Sequence, residues 1–111
     1  MESDHHHHTS LYEAMLKLES PEEVEAFLKD LCTPQELRSL CERWDVCQFL
    51  NEGKLSYRQI SRITNSSTTT IGRVSRFLNS EPYQGYKKLL EKIEREKKNV
   101  EENNDNRRSD M

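Results

Sequence analysis

The sequence predicts an all-α fold of six helices, and three observations predict it. Apolar residues recur at three- and four-residue spacing between residues 11 and 93, the period of one face of an α-helix. Twice a hydroxyl residue precedes proline and a glutamate falls three residues after the hydroxyl, at Ser20-Pro21-Glu22-Glu23 and Thr33-Pro34-Gln35-Glu36. That is the signature of a helix start, in which hydroxyl and carboxylate satisfy free backbone amides reciprocally and proline fits the first turn. Strand signals are nearly absent.

The elements follow in order. Leu11, Met15 and Leu18 make the first helical face, and Val24, Phe27, Leu28 and Leu31 the stripe of the second. A long third helix from Pro34 to Leu50 places Leu37, Leu40, Cys41, Trp44, Cys47 and Leu50 on one face, with Val46 and Phe49 as a second stripe. Such a helix expects burial on more than one side. Asn51-Glu52-Gly53 ends it. Ser56-Tyr57-Arg58-Gln59 opens a short fourth helix with Ile60 and Ile63 inside, and a break follows at Asn65-Ser66. The fifth runs from about Ser67 to Asn79 with Ile71, Val74, Phe77 and Leu78 inward; Glu81-Pro82 starts the sixth, whose packing face is Tyr83, Tyr86, Leu89, Leu90 and Ile93. The domain therefore spans about residues 10–95. A polar leader over 1–9 and a polar tail over 96–111 are expected to be disordered, since neither carries enough apolar surface to offset the entropy of ordering.

The chain has 111 residues, 32% of them hydrophobic, with a mean hydropathy of −1.01. One domain fits this length. A core drawn from about 80 residues buries only ~60% of its chain's surface and is marginal alone, so a second copy is expected. No run approaches the ~18 apolar residues of a membrane helix, and no apolar segment near the amino terminus suggests a signal peptide. Cys32, Cys41 and Cys47 are odd in number and lack C-x-x-C spacing, so neither disulfides nor a zinc site is indicated; Cys41, Trp44 and Cys47 read as core residues. The run His5 to His8 reads as a tag or unstructured leader rather than a metal site. No nucleophile elbow, P-loop or H-E-x-x-H motif occurs, and no histidine lies in the folded part. No enzyme activity, metal or cofactor is expected, and the location expected is cytoplasmic.

Charge separates by segment. Residues 1–52 hold twelve acids against four bases, net −8, and residues 81–111 hold eight of each. Residues 53–80 hold Lys54, Arg58, Arg62, Arg73 and Arg76 and no acid, net +5. An acid-free run of 28 residues in a chain that is 33% charged marks a local cationic face, and local charge outweighs the total once salt screens beyond ~8–10 Å.

The same run has helix-turn-helix proportions. Two short amphipathic helices meet through a three- to four-residue turn that needs a residue tolerant of positive φ, and Asn65 is the candidate. Ile60, Ile63, Ile71 and Val74 would lock the pair. Ser67, Thr68, Thr69, Thr70, Arg73 and Arg76 are then left for base edges and phosphates, and the start of the first helix, Ser56, Tyr57, Arg58 and Gln59, for a phosphate. Lys54 and Arg62 add charge. Double-stranded DNA is the partner this pattern expects. Three consecutive threonines are mediocre helix formers, which simple capping does not explain.

The run Leu31-Cys32-Thr33-Pro34-Gln35-Glu36, Arg43, Leu50 through Arg58, and Thr68-Thr69-Thr70-Ile71-Gly72-Arg73-Val74 resembles the Trp repressor superfamily, and within it the small Trp-repressor-like YerC/YecD proteins. The resemblance covers about residues 10–95. It implies an intertwined homodimer with two reading heads on a palindromic operator, hence a transcriptional regulator, as a repressor. In tryptophan-sensing members the corepressor ring lies between two guanidinium groups; Arg43 and Arg73 match these, and Thr33 matches a further pocket residue. Val74 and Phe77 stand where sensing members have glycine and a small hydroxyl residue. Two larger side chains are expected to fill an indole-shaped space, so free tryptophan is not the expected effector. A helical dimer that binds another protein, or a repressor gated by a different small aromatic, are the competing expectations.

Overall fold

The computed structural model describes residues 8–109. Most of the expected leader, His5 to His7 included, lies outside them, as do residues 110–111. Six helices and no strand occur among the described residues: α1 (Leu11–Met15), α2 (Pro21–Leu31), α3 (Pro34–Glu52), α4 (Tyr57–Thr64), α5 (Thr68–Asn79) and α6 (Gly85–Ser109). They fall into two compact units, one through Leu40 and one from Cys41.

The first unit is held by caps. Ser10 accepts from the Glu13 amide at 3.1 Å, yet α1 ends after five residues, so Leu18 falls beyond it. The Ser20 hydroxyl accepts from the Glu23 amide at 3.1 Å, while the Glu23 carboxylate reaches back to the amide of Glu19 at 2.6 Å, one residue before the expected partner. At the start of α3 the box is reciprocal: the Glu36 amide donates to the Thr33 hydroxyl at 3.1 Å and the Thr33 amide to the Glu36 carboxylate at 2.8 Å. These bonds, the backbone amide first and the side-chain bond to Thr33 second, hold the Glu36 carboxyl below its ordinary value. No described residue of this unit is fully buried, and Leu16 is 85% exposed.

The second unit contains the core. Val46 and Cys47 of α3, Ile60 of α4, and Ile71, Val74 and Leu78 of α5 are buried together, with Trp44, Phe49, Leu50, Leu55, Tyr86 and Leu90 packed around them. Burial pushes the Cys47 thiol up to about 11. Gly53 ends α3 with φ +69°, a backbone state glycine adopts freely.

Four expectations are corrected. Cys41, expected in the core, is exposed in the single chain, as is Leu40 beside it, while Val46 and Cys47 of the same helix are buried. Ile63 is 58% exposed, because an eight-residue helix aims only Ile60 at the core; Ile63 borders a groove with Phe49 and Thr64 instead. The last helix starts at Gly85 rather than Glu81. The amides of Ser80 and Glu81 both donate to the Arg76 carbonyl, at 2.8 and 3.0 Å, and so close α5, while Gln84 takes φ +63° before α6 begins; Tyr83 is left 75% exposed. Residues 96–109 continue α6 rather than forming an irregular tail. Glu91 and Arg95, Glu94 and Lys98, and Lys98 and Glu102 stand four apart, spacings that support a solvated helix.

Candidate nucleic-acid interface

α4 and α5 form the helix-turn-helix, and its geometry is set by hydroxyl and amide side chains. At the head of α4, the Gln59 amide donates to the Ser56 hydroxyl at 3.2 Å and the Ser56 amide to the Gln59 side-chain oxygen at 2.9 Å. α4 ends on Asn65, which takes the left-handed conformation at φ 60° and ψ 26°, as its residue type allows. The Thr64 hydroxyl donates to the Ile60 carbonyl at 2.7 Å and the Ser61 hydroxyl to the Ser66 carbonyl at 2.6 Å, tying the turn to the helix it leaves. Ser67 caps α5, accepting from the Thr70 amide at 3.1 Å.

With Ile71, Val74 and Leu78 inward, helical periodicity places Thr69, Arg73 and Arg76 on the opposite face. Of the expected contact residues, Lys54, Ser56, Tyr57, Arg58, Gln59, Arg62, Ser67, Thr68, Thr69, Arg73 and Arg76 are all exposed. Thr70 differs: it is half-buried, and its hydroxyl oxygen accepts from the Ser67 hydroxyl at 3.0 Å, so it completes the cap. At Gly72 an added Cβ would meet nothing within 4 Å, so packing within the chain does not require glycine there.

The cationic run is acid-free in sequence but not in space. Arg76 Nε lies 3.3 Å from the Glu81 carboxylate. The Arg73 guanidinium carbon sits 4.4 Å, and that of Arg76 5.3 Å, from the centroid of the Phe77 ring. Phe77 in turn stacks on Tyr83, with centroids 6.2 Å apart and planes 10° from parallel.

Beside these rings lies a cavity of about 360 Å³ walled by Trp44, Arg73, Val74, Phe77, Tyr83, Gln84, Gly85, Tyr86 and Leu89. Trp44 and Tyr86 approach with ring centroids 6.4 Å apart.

The chain matches the Trp repressor protein family over residues 6–94. It belongs to that family. The uncharacterized protein YerC of Bacillus subtilis is 44% identical over 69 residues, 62% of this chain; the chain spans 65% of that relative's length. A TrpR-like protein from Eubacterium eligens has the same fold, with a TM-score of 0.70 and 33% identity over 84% of this chain and 90% of its own. So does a protein from Staphylococcus aureus whose assignment as a Trp repressor is provisional, with a TM-score of 0.70 and 34% identity over 76% and 82%.

The cavity includes some residues of the expected effector pocket and leaves out others. Val74 is fully buried in the core and Phe77 forms a wall, yet the two do not fill the space beside Arg73. Arg43 is not among its walls, and Thr33 lies in the first unit as the cap of α3. Sequence reasoning took Trp44, Tyr83 and Tyr86 for packing residues and overlooked Gln84. Helical periodicity gave no warning, because Tyr83 and Gln84 precede the helix rather than lie on it. Among the described residues no cluster of His, Cys, Asp or Glu could hold a metal, and no helix is long and apolar enough to cross a membrane.

Proposed function

We propose that this chain is a sequence-specific DNA-binding transcriptional regulator, acting in the cytoplasm as a homodimeric repressor on a palindromic operator. The observation that carries the proposal is the exposure of Lys54, Arg58, Arg62, Arg73 and Arg76 along one helix-turn-helix whose sequence holds no acid, with Glu81 the neighbouring carboxylate on Arg76. Thr68 and Thr69, at the head of α5, meet base edges; Arg73 and Arg76 serve phosphates or a guanine; Lys54, Arg58 and the Tyr57 and Arg58 amides, which lie outside the Ser56–Gln59 capping box, take phosphates. A dimer offers two such heads about one helical turn of DNA apart. The exposed Leu16, Leu31 and Leu40 support a second copy, since a single chain leaves them in water. The family supports a regulator rather than an enzyme.

Salt-dependent binding to a duplex selected from a random library tests this. With three to five phosphates neutralised per subunit, log K falls against log salt with a slope of roughly −5 to −9. A slope near −1, or binding to protein partners but not to DNA, rejects the assignment in favour of an interaction module.

A second reading adds an effector, because a cavity remains beside Phe77. Its 360 Å³ lies at the small end of ligand pockets, roughly 300–1,000 Å³, and its aromatic walls suit a small aromatic molecule. The absence of Arg43 from the lining, which leaves only one of the two expected guanidinium groups beside the space, argues against free tryptophan. A saturable heat on titration with micromolar L-tryptophan would refute that exclusion, and heat with a smaller aromatic acid alone would support the effector reading.

A further inference from the structure

We infer that Phe77 is a positioning residue for DNA recognition: its ring is the platform on which the two arginines of the recognition helix are held ready. The inference rests on the DNA-binding reading above and goes beyond it by naming what orients Arg73 and Arg76.

Arg73 and Phe77 stand four residues apart on α5, and Arg76 directly precedes Phe77. Both guanidinium groups nonetheless lie within 6 Å of the ring centroid, at 4.4 and 5.3 Å, inside the range where a cation is attracted to the ring quadrupole. The ring is itself braced from outside its helix by the near-parallel Tyr83. Arg76 is held at a second point by the Glu81 carboxylate, from the same turn that carries Tyr83.

The consequence is entropic. A free arginine side chain carries much rotamer entropy, and part of that is lost when it docks on a base or phosphate. An arginine already resting on a ring loses less on binding, the general advantage of preorganisation. The ring contributes no contact to DNA in this account; it acts only through Arg73 and Arg76. Tyrosine at the same position keeps an aromatic face, whereas leucine keeps the bulk and loses the face.

The test compares wild-type protein with Phe77→Leu and Phe77→Tyr, each also combined with Arg73→Ala plus Arg76→Ala. The probe is a duplex selected from a random library with the wild-type protein. Phe77→Leu is expected to weaken binding about three- to tenfold, since the two arginines lose the ring that restricts them before binding, and Phe77→Tyr to restore it. In the double-alanine background Phe77→Leu should have no further effect, the coupling a double-mutant cycle detects. Additive losses would overturn the inference and leave the DNA-binding reading standing. If wild-type protein fails to bind any selected duplex, the DNA-binding reading falls first. In the free protein, the Arg73 and Arg76 side-chain protons should show ring-current shifts that Phe77→Leu removes and Phe77→Tyr keeps. Their absence in wild type overturns the platform whether or not DNA binds, and a loss of folding in Phe77→Leu would show as collapse of the whole spectrum rather than of these signals alone.

Discussion

The two units are built from helices of similar sequence quality but hold together in different ways. The first, through Leu40, has three well-capped helix starts and no fully buried described residue. The second, from Cys41, buries Val46, Cys47, Ile60, Ile71, Val74 and Leu78 in one cluster. Capping is local chemistry, decided within four residues, and it chooses where helices begin. Burial requires surface from elsewhere in the chain or from another chain. Short isolated helices are marginal in water, and the first unit leaves Leu11, Leu16 and Leu31 exposed in the single chain.

The largest expected difference between them comes from cutting the core. Ile71→Ala removes a fully buried side chain and should destabilise the protein by about 2–5 kcal/mol in urea unfolding. Leu16→Ala, at an 85% exposed position, should cost under about 0.5 kcal/mol if the chain is monomeric. A larger loss that grows as the protein is diluted would mean that a second copy covers the stripe, and the comparison would then describe half an assembly.

Next comes the cationic run, which the proposed function places against DNA. Arg73→Ala should leave urea unfolding nearly unchanged and weaken binding to a selected duplex by about 1–3 kcal/mol in a gel shift if its contact is bidentate. An unchanged affinity would remove Arg73 from the interface. In the first unit the matching experiment is a cap. Ser20→Ala deletes the acceptor for the Glu23 amide and should cost about 1 kcal/mol, seen as faster amide exchange over α2.

A smaller effect of opposite sign is expected at Gly72. Alanine there meets no neighbour and should stabilise the second unit by about 0.5–1 kcal/mol. Weaker DNA binding by the same variant would mean that the bare backbone is kept for close approach to the duplex; unchanged binding would mean that it only keeps α5 loose.

Near neutral pH the smallest effects are the pH responses, which emerge only toward the acid and alkaline extremes and divide the units by sign. Glu36 titrates below its ordinary value because it accepts the Thr33 amide, so its contribution is present above about pH 4.5 and is lost as pH falls through its lowered value. Proton-coupled fraying at the head of α3, followed by NMR, checks this. Cys47 is raised from 9.0 to about 11 by burial; the folded state is favoured fully below about pH 9, and that preference is lost as pH rises toward 11. At neutral pH a thiol reagent should modify exposed Cys41 and spare Cys47 until the core opens.

The sequence showed the fold wherever a backbone group's partner lay nearby. The box at Thr33 with Glu36 and the left-handed turn at Asn65 were legible because each is settled within a few residues, whereas Ser56 to Gln59 was read only as a helix opening left for a phosphate, and its reciprocal box was missed. Ile63 was misplaced because periodicity gives the spacing of an apolar face but not how much of it a short helix can bury. The start of α6 was misplaced because Glu81-Pro82 is a good helix opening by composition, while the Arg76 carbonyl claims the neighbouring amides to end α5. Arg73 and Arg76 were found from charge. The ring beneath them was not, since a phenylalanine on an amphipathic helix looks like core until its neighbours are known.

Asn65 fixes the bend between α4 and α5 by backbone shape rather than by what its amide touches. Glycine would accept the same angle and many others, so Asn65→Gly should leave the elbow closed on average while widening its swing. The bend between α4 and α5 therefore has an adjustable stiffness, open to tuning at a single residue.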